Sequence, residues 1–281
     1  FCLSRGLGDV YKRQVLGDQG YAETFGSHDK YFATTLPKQG ELFPNYFAVT
    51  GGELANEIAL ISGQGPTPQT AANCSTFSKF ASTGTGKFGQ MLGSGCVYPS
   101  DTDTVASQLT VSKRGGWKAY IEGMNDATSR SDQTCRHPVL GAADPNQSVT
   151  AKDPYATWTN PFVYFEALTG KKCKTADVPL TQLATDLKSE STTPALSYIA
   201  PDPCDDGSDT ACRPGAAAGL APAQKFIERV LPEIEKSAAY KADGMIAITF
   251  DQAPQTGPHA DTTSCSACDA QTFPNLPTPT T

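Results

Sequence analysis

LFPNYFAVTGGELANEIALISGQGP, residues 42–66, decides the fold of this 281-residue chain. Residues 46–49 read as the end of a strand, and Gly51 and Gly52 supply the turn after it. A helix then follows over 53–61, because Leu54, Ile58 and Ile61 recur at spacings of four and three and give it one apolar face. A helix N-terminus exposes unpaired N–H groups and a partial positive charge, so the turn suits a phosphate or a carboxylate. Glu53 stands at that point with three chemical readings: a metal ligand, a carboxylate nucleophile, or an electrostatic cap. Thr50 offers a hydroxyl several residues earlier.

The rest of the sequence repeats the strand-then-helix alternation, which predicts an α/β fold with a mostly parallel central sheet and helices on both faces. Val15 and Leu16 read as a strand remnant, 104–112 as a helix, 117–122 as a strand, and 126–154 as a long polar loop pinned by Cys135. Residues 162–168 form an apolar aromatic element and 196–200 another strand. Residues 222–241 carry the clearest helical pattern, with Phe226, Ile227, Val230, Leu231 and Ile234 on one face, and Pro232 is expected to kink or split it. MIAITF, 245–250, reads as a buried strand. The first fourteen residues, FCLSRGLGDVYKRQ, match no such pattern and read as a non-native segment, leaving 15–281 as a single domain.

Composition narrows the function. A net charge of -7 argues against a nucleic-acid partner. Mean hydropathy of -0.34 and the lack of an 18-residue apolar run argue against stable membrane insertion. Eight cysteines besides Cys2 lie in Pro-, Gly- and Asp-rich stretches, the pattern of a disulfide-bonded, exported protein of the extracellular space or cell envelope. Cys74 with Cys96 and Cys204 with Cys212 would close short loops. Cys265 and Cys268 hold a zinc-like spacing without completing a four-ligand set.

Several segments, in order, resemble the bacterial phosphoesterase family of phospholipase C-like and acid phosphatase-like enzymes. The family's T-H-P-S-L-P-N-Y-x-A-L-x-S-G frame is matched by Thr50, Leu54, Asn56, Ala59, Leu60, Ser62 and Gly63, with Glu53 where the nucleophilic serine is expected. WTNPFVYF (158–165) and PDPCDDGSD (201–209) match two further segments, with Thr159 and Ser208 in place of histidines. WKAYIEGM (117–124) matches a third and places Glu122 near the site. Asp251 follows MIAITF where the family has a metal-binding Asp, with Gln252 in place of the second acid. Asp18 follows the first strand where the family has Asn, and Gly17 replaces Glu.

The resemblance implies an alkaline-phosphatase-like three-layer sandwich that ends before the family's closing strand. It also implies metal-assisted hydrolysis of a phosphate ester, either a small molecule or a phospholipid. Asp251, Asp18 and Glu53 would hold a divalent metal, Glu53 or Thr50 would attack phosphorus, and Asn56, Arg136 and Asn160 would contact substrate. His259 and the acidic loop Asp205, Asp206 and Asp209 lie close enough in sequence to contribute. The departures at functional positions sustain a second expectation, a non-catalytic secreted binding or envelope protein that retains the fold.

Overall fold

The computed structural model describes residues 10–16, 19–26, 29–112, 115–126, 133–254 and 275. In chain order the elements are β1 (Val10–Leu16), α1 (Tyr21–Phe25), α2 (Glu53–Ser62), α3 (Pro68–Ala71), β2 (Ala81–Thr85), β3 (Met91–Ser94), α4 (Val105–Ser112), β4 (Trp117–Ile121), α5 (Cys173–Ala176), β5 (Asp177–Pro179), α6 (Leu183–Asp186), β6 (Leu196–Ala200), α7 (Leu220–Lys236), α8 (Ala238–Asp243) and β7 (Gly244–Phe250). Five strands form one sheet in the order β5-β4-β6-β1-β7, and every pairing in it is parallel. β2 and β3 form a separate antiparallel hairpin.

Strand alternation splits the core between the two sheet faces. Trp117, Ala119 and Ile121 of β4, with Leu196, Tyr198 and Ala200 of β6, face α2, α4 and the aromatic segment Phe162, Val163, Tyr164 and Phe165. The Trp117 and Phe162 rings stack at 4.6 Å there. Tyr120 and Ile199 point the other way, against Leu183 and Leu187 and against Phe226, Val230 and Ile234 of α7. Ala223, Ile227 and Leu231 of α7 cover Ile246, Ile248 and Phe250 of β7 together with Phe32. The expected mixed α/β fold, with a parallel sheet and helices on both faces, is therefore present.

Four expectations change. β1 begins at Val10, so residues 10–14, read as foreign to the fold, pair with β6 and β7. Residues 46–49 form no strand, and Tyr46, Phe47 and Val49 are exposed. α7 runs unbroken through Pro232, because its continuous buried stripe outweighs one lost backbone bond; the break falls at Ser237, which caps α8 by accepting from Tyr240 N. β7 is only partly buried, with Met245 41% exposed, because among the described residues it is the edge strand, paired with β1 alone.

Cys74–Cys96, Cys135–Cys173 and Cys204–Cys212 are disulfide-bonded, two of them as expected from spacing. Among the described residues no helix is long and apolar enough to cross a membrane. These features are compatible with an extracellular protein. Cys265 and Cys268 lie outside the described residues.

Candidate functional site

The turn before α2 is held by side-chain amides. Asn56 uses all four of its hydrogen-bonding sites there: Oδ1 accepts from Val49 N at 2.8 Å and Thr50 N at 3.1 Å, while Nδ2 donates to Thr50 O at 2.7 Å and Gly52 O at 3.0 Å. The expected substrate contact is thus committed to fixing the turn, and it fixes the backbone of Thr50. Gly52 is required by close approach, since a Cβ there would lie 2.5 Å from Ala71 O.

Asn73 reaches the same turn from outside. Its Oδ1 accepts from Leu54 N at 3.1 Å, and its Nδ2 donates to Glu53 Oε2 at 2.7 Å. Glu53 therefore occupies the first helical position with its carboxylate oriented, and one N–H of the helix terminus is already satisfied. Asn73 and Cys74 both have positive φ, 53° and 50°. They are held by the Cys74–Cys96 disulfide and by Gln147 Nε2, which donates to Asn73 O at 2.7 Å.

Glu57 lies one turn deeper on α2, 4% exposed, facing Tyr198 and within electrostatic reach of Glu53 and Asp206. Burial holds its carboxyl well above the usual carboxylate range, the Tyr198 hydroxyl opposes this, and the two acids add to it. Its Oε2 is buried without a hydrogen-bond partner among the described residues.

At the carboxyl ends of the strands, where ligands of open parallel sheets bind, Gln19 joins three segments. Its N donates to Gln252 O at 3.0 Å, and its Nε2 donates to Gly207 O at 2.7 Å and Asp209 Oδ1 at 2.8 Å. The end of β1, the disulfide-closed loop after β6 and the end of β7 therefore meet. Gly207 sits at φ 98°, where a Cβ would press on Ala223 and Phe250. Asp251 and Gln252 are both buried at this junction.

Beside it, burial pushes Glu122 up to about 7; Asp202 adds to the rise, and Arg229, its ion-pair partner, opposes it. Burial also pushes Asp202 up to about 6, and Glu122 Oε2 accepts from Asp202 N at 3.2 Å. Arg229 reaches Asp205 as well, at 3.7 Å.

Arg136 and Asn160 belong to a different corner. Arg136 is 3% exposed, ion-paired with Asp153, and its guanidinium lies 4.5 Å from the Tyr155 ring centroid. Asn160 is fully buried and donates from Nδ2 to both oxygens of Asp177, at 3.0 and 2.9 Å. Both side chains are engaged inside the protein. Asp18 and His259 lie outside the described residues.

Oxygen donors alone, as at the carboxyl edge, suit a hard cation such as Ca²⁺ or Mg²⁺. Their assembly does not match that chemistry. Among the described residues the one group of three His, Cys, Asp or Glu ligand atoms within 4.8 Å is Cys135, Cys173 and Asp177. Those two sulfurs are joined in a disulfide and are not thiolate ligands, and Asp177 is already bonded by Asn160.

No family model and no curated protein matches the chain. The site is therefore read from its own geometry. Sequence reasoning missed Glu57, Asn73 and Gln19. Glu57 carried a signal, since it falls three residues after Leu54 and four before Ile61, on the buried stripe of α2. Asn73 and Gln19 carried none, because their partners are distant in sequence.

Proposed function

We propose that the chain is an exported hydrolase of phosphate ester bonds, acting at the Thr50–Glu53 turn, on an alkaline-phosphatase-like sandwich. The observation that carries this reading is the meeting of widely separated segments around α2. The Glu53 turn, the aromatic segment with Tyr164 and the loop with Asp206 lie tens to more than a hundred residues apart in sequence, and Gln19 ties that loop to the end of β7. Asp206 and Glu53 act electrostatically on Glu57, and Glu57 acts in turn on Tyr164. These are the segments through which the sequence resembles phosphoesterases.

In the proposed reaction the Glu53 carboxylate, oriented by Asn73, bonds to phosphorus as the ester oxygen leaves. Water then cleaves the resulting acyl phosphate, returning the carboxylate and releasing phosphate. The helix terminus offsets charge on the phosphoryl oxygens. A divalent cation at Asp251, Asp18 and Glu53 would supply further charge neutralisation. The described ligand atoms do not form a ready cage, so no step is assigned to it.

Turnover of 4-nitrophenyl phosphate, followed by acid quench and hydroxylamine treatment of the labelled protein, tests the assignment. A hydroxylamine-labile phosphoprotein that disappears in Glu53→Gln supports it. A hydroxylamine-stable phosphoester at Thr50 would move the nucleophile to that hydroxyl.

A second reading, a non-catalytic secreted binding protein, is favoured by one specific observation. Asn56 and Asn73 satisfy the polar groups of the turn internally, as a purely structural turn would. The absence of any labelled protein and of any turnover would select it.

A further inference from the structure

At the β5 edge of the sheet, away from the β6-β1-β7 junction, Thr134, His137, Thr169, Lys171 and Lys174 line a cavity of about 500 Å³ around the Cys135–Cys173 disulfide. Among the described residues no acidic side chain lines it, although the chain as a whole carries -7. Neither lysine makes an ion pair among the described residues. Asp177, three residues after Lys174, is buried beneath the disulfide, where desolvation pushes it up to about 7 and both oxygens accept from Asn160. Little negative charge therefore reaches the cavity from below.

The walls are fixed. Cys135 N donates to Asp177 O at 2.9 Å, and Cys173 N donates to Gly170 O at 2.9 Å. The His137 ring stacks on Phe77 at 5.4 Å. Its Nδ1 lies 2.8 Å from Pro138 O, which only accepts, so Nδ1 carries a proton.

We propose that this pocket binds a small polyanion of the diphosphate type, its oxygens held by the Lys171 and Lys174 ammonium groups with Thr134 as a further donor. Two ammonium groups lining one cavity, three residues apart in sequence, match two anionic groups on one ligand. The volume exceeds that of a single phosphate and falls in the usual range of small-molecule sites. The proposal is independent of the hydrolase reading.

Calorimetric titration with methylenediphosphonate, which is not hydrolysed, tests it on the whole chain. The expected result is one-to-one binding to the wild type, weakened about tenfold per lysine in Lys171→Ala/Lys174→Ala. Both positions are exposed, so the variant should keep the wild-type melting temperature without ligand. Glu53→Gln should bind like the wild type, which separates this pocket from the Glu53 turn. The proposal is overturned by no binding up to about 1 mM, by binding unchanged in the double variant, by loss of binding in Glu53→Gln, or by sodium chloride at matched ionic strength reproducing the heat.

Discussion

Glu57 and Asp177 are both carboxyls sealed inside the same sheet protein, yet their surroundings differ. Asp177 is fully buried at the start of β5, and both of its oxygens accept from one amide, that of Asn160. Glu57 is buried on α2 with one oxygen left without a hydrogen bond among the described residues and with two further acids in reach. Desolvation raises both groups. A hydrogen bond to the charged form pulls each back, from Asn160 at Asp177 and from Tyr198 at Glu57, but at Glu57 alone like charges push further. Asp177 has the surroundings of a structural acid. Glu57 has those of a group whose proton is held in place beside the acidic edge, and the difference predicts opposite responses to the same change of acid to amide.

The largest expected effect lies in the Asp177 corner. Arg136→Ala removes the partner of a buried ion pair and should cost about 3–5 kcal/mol in urea unfolding. If stability is unchanged while affinity for a phosphate ester drops, Arg136 is a substrate contact and the corner is misassigned. Next, Asp177→Asn should destabilise by about 1–3 kcal/mol, because its new amide would confront the Asn160 amide and leave a buried group unsatisfied.

Glu57→Gln should behave differently. The folded state keeps the Glu57 proton above the pH at which the unfolded chain releases it, so the wild type should lose stability as pH rises from about 4.5. The slope of this loss reaches at most about 1.4 kcal/mol per pH unit for one group. Glu57→Gln should flatten that slope and be more stable than the wild type at pH 8. Equal slopes for the two proteins in unfolding measured between pH 5 and 8 would show that Glu57 ionises freely. The smallest effect belongs to Asn73→Ala, which removes an external helix cap and should cost about 1 kcal/mol. Its informative readout is the pH profile of turnover, which should shift if Asn73 orients the Glu53 carboxylate.

The parts of this molecule legible in its sequence are those where one physical signal dominates. Leu54, Ile58 and Ile61 announced α2, and the apolar runs of β4 and β6 announced buried parallel strands because both faces are covered. β2 and β3 were missed since their residues are exposed or half-exposed and Gly-rich, with no alternation to detect. β5 escaped notice because three residues, Asp177–Pro179, carry no period. The short disulfides followed from spacing, but the partner of Cys135 lies 38 residues away and could not.

The site divides in the same way. Glu53 was readable from its place at a helix start, and Asp251 from its place after a strand. The roles of Asn56, Asn160 and Arg136 depend on partners in three dimensions, and their side chains are occupied by Thr50, Asp177 and Asp153 respectively. Glu57 was visible as a polar residue on an apolar stripe, a conflict between levels that marks functional sites.

The central claim is the proposal that the Glu53 turn hydrolyses phosphate esters. Its most direct test is the rate of 4-nitrophenyl phosphate hydrolysis with Mg²⁺, Mn²⁺, Ca²⁺ or Zn²⁺ added in turn to metal-stripped protein, comparing the wild type with Asp251→Asn and with Glu53→Gln. The account predicts turnover that falls about 10²-fold or more in Glu53→Gln while the folded protein persists, whichever ion is present. Turnover that is absent with every ion, or unchanged in Glu53→Gln, would contradict it.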